Sequence, residues 1–337
     1  MMPSVYYYDK DQERCLIHIE SLPDHCFRFQ SSNGCFGEIT GTRLCKDAFA
    51  IHLHKNMISS FEKGKMLAAL LAWLFEEKRL EALDLTLDMG FAQSAKAFSL
   101  VHQCLPDGRY RSLQSAFYQS PLLWHQAPFR GFSYHKAAPL THPLRPLKPE
   151  GWVYRRFIPE LQMELGFRTF DLEDDLQRFH RWMNEPRAAI WELQGTLAQH
   201  ADYVQTLAQD PHAYALIGTF NDEPFGYFEV YWARENRLGQ YCEVGEFDRG
   251  WHVLIGEKKH LGRQKTLAWG KGITHYLFLD DPRTSYVVGE PKASNQKILR
   301  YSTDWGYVKE KEFDFPHKRA AFVRCERHHF FNMIFKG

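Results

Sequence analysis

The stretch Phe247–Glu290, FDRGWHVLIGEKKHLGRQKTLAWGKGITHYLFLDDPRTSYVVGE, constrains the fold of this chain more than any other. An apolar run, Trp251 to Ile255, carries His252 and ends at Gly256. A polar, basic turn, Glu257 to Gln264, leads into a segment of helical character that reaches about Phe278. A β-rich run, Thr284 to Val288, follows. Strand, turn, helix, strand sets helix N-terminal N–H groups beside a strand end, where they and the helix dipole favour an anion. The turn has Gly256 and Gly262 but neither G-x-G-x-x-G nor Gly-Lys-Ser/Thr, so it is no dinucleotide fingerprint and no Walker loop. Two readings stay open. Backbone amides with Lys258, Lys259 and Arg263 hold a pyrophosphate, or the turn is a solvated part of an ordinary βαβ unit. His252 divides in the same way, between a hydrogen-bonded core group and a general base that titrates near neutrality.

The rest of the chain frames that unit. At 337 residues two domains are expected. Residues 14–53 alternate short β-like runs (Cys15–Ile19, Phe36–Ile39, Ala48–Leu53) with turns. A capping box at Ser59 and Glu62 opens a helix with Leu67, Leu70, Leu71 and Leu74 on one face. A run at Leu83–Leu87 and a helical stretch over Ala92–Cys104 follow. The proline-rich 136–151 is the expected boundary, giving a mixed α/β domain at 1–138, a linker at 139–150 and a second domain at 151–337. In that domain Asp171 caps a helix that stops before Pro186. Ile190–Leu207 is read as helical, and Ala213–Phe220 with Phe225–Trp232 as a hairpin. Asn295 caps a helix closed by Gly306, and two strands end the pattern, Tyr307–Phe313 and Ala320–Cys325. The order predicts a mixed sheet with helices on both faces.

Composition removes several function classes. A formal net charge of +1 gives no electrostatic footprint for nucleic acid. The longest apolar run, Met66–Phe75, is short of the roughly 20 residues that span a bilayer. The start lacks a signal-peptide pattern and the seven cysteines are scattered, so a soluble cytoplasmic protein with reduced thiols is expected. Cys35 has no histidine or aspartate at informative spacing and is read as a packing residue. Cys325, His328 and His329 lack a second ligand pair at zinc-like spacing, so no metal is expected.

Eight segments, in order, carry a family likeness: VYRRF (153–157), RWMNEPR (181–187), FEVYWARENRLG (228–239), FDRGWHVLIGE (247–257), THYLFLDDPRT (274–284), EPKASNQ (290–296), KEFDFPHKR (311–319) and ERHHFF (326–331). Residues 151–331 thereby resemble the acyl-CoA-dependent N-acyltransferases of hydroxamate siderophore biosynthesis. The resemblance implies a GNAT fold, an α/β (α+β) architecture with a mixed sheet splayed at its centre. The mixed α and β content of the smaller domain ahead of it is read, apart from the resemblance, as a degenerate second copy of the same fold. It implies acetyl-CoA as co-substrate, and an N-hydroxylated amine such as N6-hydroxylysine or an N-hydroxydiamine as acceptor. Succinyl-CoA or another donor, and a non-catalytic CoA-binding scaffold, are the alternatives. Oligomeric state stays open.

By the same resemblance His252 is the base, Tyr301 the proton donor to the leaving thiolate, and Asn295 a neighbour of the thioester. Leu254, Ile255, Gly256, Lys258, Lys259, Gly262, Arg263 and Gln264 would hold CoA. Trp182, Asn184, Arg187, Glu290, His317 and Lys318 would line the acceptor site; Arg187, Arg319 and Lys318 are candidate partners either of an acceptor carboxylate or merely of Asp and Glu on the surface. Ser294 stands where relatives carry an aspartate. The orienting carboxylate must then be Glu290 or Asp248, or be missing.

Overall fold

Two near-continuous apolar runs, Ala213–Phe220 and Phe225–Trp232, build the hairpin at the centre of the second sheet and are buried on both faces. The computed structural model describes residues 4–8, 14–21, 26–31, 38–45, 48–53, 60–127, 130–133 and 142–335. It divides into two compact units, Met1–Trp124 with Phe331–Gly337, and His125–Phe330. The proline-rich 142–150 belongs to the second unit. There His142 and Arg145 reach the Glu235 carboxylate at 3.1 and 2.6 Å.

The first unit runs β1 (Ser4–Tyr8), β2 (Arg14–Ser21), β3 (Cys26–Ser31), β4 (Glu38–Cys45), β5 (Ala48–Leu53), α1 (Ser60–Lys78), β6 (Ala82–Leu87), α2 (Met89–Ala97), β7 (Gln103–Cys104), β8 (Tyr110–Leu113) and α3 (Gln114–Phe117). The apolar face read on α1 is buried, with Leu67, Leu70, Leu71 and Leu74 all fully covered. The capping box at Ser59 and the thiol of Cys35 lie outside the described residues. The helix expected over 92–104 is shorter: Asp88 caps α2 by accepting from Phe91 N. Ser99 takes a positive φ of 52°, and the chain is extended again by Gln103.

The second unit runs β9 (Trp152–Ile158), β10 (Met163–Thr169), α4 (Leu172–Met183), a 3-10 turn (Pro186–Trp191), α5 (Leu197–Gln209), β11 (Ala213–Phe220), β12 (Glu223–Trp232), β13 (Arg249–Ile255), α6 (Arg263–Asp280), β14 (Tyr286–Gly289), α7 (Gln296–Asp304), β15 (Val308–Asp314) and β16 (Arg319–Glu326). Asp171 caps α4 by accepting from Glu173 N and Asp174 N. The helix expected over 190–207 is broken. Glu192 is left-handed after the 3-10 turn, and a Thr196–Gln199 capping box restarts it as α5.

Both sheets have the same strand order: β1-β2-β3-β4-β5-β6-β8-β7 and β9-β10-β11-β12-β13-β14-β16-β15. In each, the first five strands are antiparallel neighbours and the fifth and sixth are parallel. The last strand then lies antiparallel beside the sixth. The first unit therefore repeats the topology of the second. The second and third strands follow closely in sequence in the first unit, Ser21 to Cys26, whereas in the other unit Thr169 and Ala213 are separated by α4 and α5.

The two differ at the parallel pair. β5 stays paired with β6 from Ala48 to Ile51. β13 pairs with β14 only at Arg249 and Gly250. From Trp251 onward the β14-side edge of β13 is open, and this is the splay. On β12 the period-2 alternation turns Tyr227 toward α4, 4.6 Å from Phe179, and Phe228 toward α6, 5.8 Å from Trp269. Helices accordingly cover both faces. On β13 the same alternation sends Trp251 toward α6, 6.0 Å from Trp269, and His252 to the α4–α5 face.

Candidate active site

His252 sits at the mouth of the splay because β12 and β13 pair in one fixed register, which sets it opposite Glu229. Its Nε2 lies 2.7 Å from Glu290 Oε1, and its Nδ1 lies 3.5 Å from Glu229 Oε2. Each carboxylate is held in turn. Tyr231 OH donates to Glu290 Oε2 at 3.0 Å. Tyr227 OH donates to Glu229 Oε1 at 2.9 Å, and Tyr203 OH of α5 donates to the same oxygen. Tyr231 tilts against the imidazole at 4.9 Å, and Trp191 meets it edge-on at 6.0 Å. The histidine side chain keeps 26% exposure, whereas Glu290 is 1% exposed.

These contacts set the charges. Burial opposes the imidazolium, but the Glu290 and Glu229 carboxylates outweigh it and raise His252 to about 9. Burial would likewise raise Glu290, yet the His252 charge and hydrogen bond, with Lys318 and Tyr231, bring it down to about 2. At neutral pH His252 therefore stands as an imidazolium against an ionised Glu290. Either carboxylate alone would be a costly buried charge.

Glu290 is thus the carboxylate that faces the histidine. Asp248 instead accepts from the backbone N–H groups of Gly245 and Tyr286, at 2.7 and 3.1 Å. Burial raises its pKa. Lys318 is beside Glu290: its Nζ donates to the Glu290 carbonyl at 2.8 Å. His317 stacks on Phe315 at 5.4 Å.

The other residues drawn toward the acceptor by the sequence gather at the turn after β13. Trp182 is 1% exposed and lies under Gly256, where an added Cβ would stand 2.0 Å from the indole. Its Nε1 donates to Glu257 Oε1 at 3.0 Å. Arg187 donates to the Gly256 carbonyl and pairs with Glu185 at 3.2 Å. Asn184 is spent on its own chain, donating to the His180 and Gly195 carbonyls and accepting from Gly195 N.

The turn itself is poised for an anion. Gly262, at φ 128°, is the N-cap of α6 and brings no capping side chain, so among the described residues the first amides of that helix have no side-chain cap. Lys258, Lys259 and Arg263 surround it in exposed pairs with Glu185, Glu223 and Asp304. Such exposed, solvent-screened pairs hold weakly enough for a phosphate to displace them. Leu254 turns its side chain into the α4 core, so only its backbone and that of Ile255 face the splay. Asn295 accepts from Ile298 N at 3.2 Å as the N-cap of α7. Nearly two turns on, Tyr301 stacks on Trp305 at 5.9 Å.

Sequence reading missed Glu229, Tyr203, Tyr227 and Tyr231 as site residues. The signal was Glu229 itself, a lone charge inside the apolar strand FGYFEVYW, which has to find a partner if buried. Cys325, by contrast, is buried on β16. Among the described residues the one group of ligand atoms that converges is His142, His212 and Glu235, whose carboxylate Arg145 already holds. None of the described helices is long and apolar enough to cross a membrane.

A splayed mixed sheet with an open β13 edge and an uncapped, basic helix start defines an acyltransferase of the GNAT class. The family model described as an acetyltransferase (GNAT) domain matches residues 171–315. Over 249 residues the chain is 40% identical to N(6)-hydroxylysine O-acetyltransferase of Escherichia coli, covering 72% of this chain and 78% of that one. It is 44% identical over 198 residues to hydroxyornithine transacylase SID3 of Ajellomyces capsulatus, covering 57% of this chain and 45% of that longer one. Among solved structures, an uncharacterized protein from Bacillus halodurans superimposes with a TM-score of 0.50 at 29% identity, over 52% of this chain and 91% of that one. The chain belongs to the GNAT acetyltransferase family, in the branch that contains these hydroxylysine and hydroxyornithine acyltransferases.

Proposed function

We propose that this protein transfers an acyl group, acetyl in the first instance, from acyl-CoA to the nitrogen of an N-hydroxylated amine, and so makes a hydroxamate for a siderophore. The observation that carries the reading is His252, framed by two carboxylates at the mouth of the splay. The residues present fit acyl-CoA. The open β13 edge from Trp251 to Ile255 offers backbone groups to the pantetheine amides. The Gly256–Gln264 turn and the α6 start offer N–H groups and cations to the pyrophosphate. The names of the two relatives support a hydroxylated diamino acid as acceptor.

A hydroxylamine nitrogen is weakly basic, so it is largely neutral near pH 7 and attacks the thioester carbonyl directly. Backbone N–H groups near Leu254–Gly256 stabilise the oxyanion. The nitrogen then surrenders its proton to unprotonated His252. With a pKa of about 9, that form is only ~1% of the free enzyme at pH 7. As the carbonyl re-forms, the C–S bond breaks, the thiolate takes a proton from Tyr301, and hydroxamate and CoA thiol leave.

Thiol release on mixing the protein with acetyl-CoA and N6-hydroxylysine tests the reading, and absence of release overturns it. Running succinyl-CoA in parallel decides the donor. A CoA-binding scaffold would bind the donor and release no thiol with either.

A further inference from the structure

The two nitrogens of His252 are not equivalent. Nε2 lies 2.7 Å from Glu290 Oε1, and that carboxylate is 1% exposed, so no substrate atom fits between them. In the neutral ring the hydrogen therefore stays on Nε2, held by Glu290, and the lone pair stands on Nδ1. Nδ1 faces Glu229 Oε2 across 3.5 Å, beyond the usual hydrogen-bond length. The Glu229 carboxylate is divided as well. Its Oε1 accepts from Tyr227 OH at 2.9 Å and from Tyr203 OH. Its Oε2 has only the long contact to His252 among the described residues.

Nδ1 and Oε2 are thus two neighbouring acceptors, each with capacity left. Both are fixed, the ring by Glu290 and the carboxylate by tyrosines from two elements, β12 and α5. An HN–OH group carries two donors on adjacent atoms and can serve both acceptors together. Their places in the sheet set its direction. Glu229 is on β12, which borders β13 on the side away from β14 and the splay. A hydroxyl that donates to Oε2 is therefore turned away from the open β13 edge, where the thioester would lie. The nitrogen is then the nearer of the two atoms.

We infer that Glu229 decides which atom of the hydroxylamine is acylated: its Oε2 accepts the hydroxyl hydrogen, holds the oxygen back and presents the nitrogen to the thioester. The inference rests on the proposed acyl transfer and names the residue behind its choice of nitrogen over oxygen. As the C–N bond forms, the N–H proton passes to Nδ1. The C–S bond breaks with the thiolate protonated as above, and the hydroxyl keeps its own proton throughout. An oxygen left unrestrained is a competing nucleophile, and its acylation gives a product of the same mass that forms no ferric hydroxamate.

The test follows thiol and ferric hydroxamate together, with acetyl-CoA and N6-hydroxylysine, on the full chain and its Glu229→Gln and Glu229→Asp variants. Acetyl-CoA affinity by calorimetry checks that each variant is folded. Wild type should make one hydroxamate per thiol. Glu229→Gln keeps an oxygen for the tyrosines but turns an amide donor toward the hydroxyl. Its kcat/KM should fall roughly ten- to a hundredfold, the scale of one hydrogen bond to a carboxylate. Its hydroxamate should fall short of its thiol, the remainder being O-acetyl product. Glu229→Asp keeps the acceptor and should keep hydroxamate as its product. A second measurement needs only wild type. N6-methoxylysine, with methyl in place of the hydroxyl hydrogen, should be used at least roughly tenfold less well than N6-hydroxylysine. An unchanged hydroxamate-to-thiol ratio in folded Glu229→Gln, or equal kcat/KM for the two acceptors in wild type, overturns the inference and leaves acyl transfer standing. No thiol release from wild type with either acceptor removes the proposed function and this inference together.

Discussion

Replacing Glu290 by glutamine keeps the shape of the side chain and removes the charge that does most to hold a proton on His252. The structure gives the scale. A histidine raised from 6.5 to about 9 has about 3 kcal/mol of net preference for the imidazolium, at about 1.36 kcal/mol per pH unit. Glu290, at 2.7 Å against 3.5 Å for Glu229, supplies the larger attractive share, while burial continues to disfavour the charge. In Glu290→Gln the His252 pKa should therefore fall by at least ~1 unit toward its ordinary value. NMR titration of the His252 ring proton, assigned with a His252→Gln control, reads this directly. The acid limb of kcat/KM, where activity climbs as the base loses its proton, should move down by the same amount. A ring titration that stays at about 9 in Glu290→Gln would refute the electrostatic account of the site, whatever happened to turnover.

The same charges govern stability. His252 is raised in the folded state, so its contribution is complete below its unfolded pKa of about 6.5 and is lost as pH rises through about 9. Glu290 is lowered to about 2, so its share is complete above about 4.5 and is lost only as pH falls toward 2. Chemical denaturation should show wild type losing stability between pH 6.5 and 9 by an amount that Glu290→Gln does not lose. His252→Ala should lower kcat at least roughly a hundredfold, as general-base loss does, while acetyl-CoA affinity by calorimetry stays within a fewfold. Gly256→Ala should cost about 1–3 kcal/mol of stability, seen as a lower Tm, because its Cβ has to enter the buried Trp182 indole. It should also weaken CoA binding through the turn that follows.

What the sequence showed and what it hid follow from where the information sits. Local signals read true wherever a side chain acts on its own backbone. Asp171 and Asn295 are caps, Gly306 takes a φ of 90°, and the hairpin forms where the two β-like runs, Ala213–Phe220 and Phe225–Trp232, put it. Helices that end by an unfavourable backbone choice, at Ser99 and Glu192, were read as too long. Neither residue announces a left-handed conformation. The strands β1, β3, β7, β8, β9 and β10 went unnoticed because strand preference depends on the partner strand, even where that partner is the next in sequence, as for β1, β3 and β9.

The site followed the same division. His252 and the basic turn stood out from the chain order alone. The frame around the histidine depended on register, which sets Glu229 opposite it, and on β14, which brings Glu290 from another part of the chain. Trp182 and Arg187 fall in one motif with Asn184, yet they meet the Gly256 turn, since a helix that covers β13 reaches its far end as readily as its middle.

The central claim is that His252 and its carboxylates serve acyl transfer to nitrogen, and the product's connectivity tests it most directly. Acetyl-CoA and N6-hydroxylysine are incubated with the protein, thiol is followed, and the product is examined by mass spectrometry and for its ferric complex. The account predicts one acetyl group gained per thiol released, carried on nitrogen as a hydroxamate that binds iron(III), and loss of both signals in His252→Ala. Thiol release with the acetyl group on oxygen and no ferric colour, or undiminished hydroxamate from His252→Ala, would contradict it.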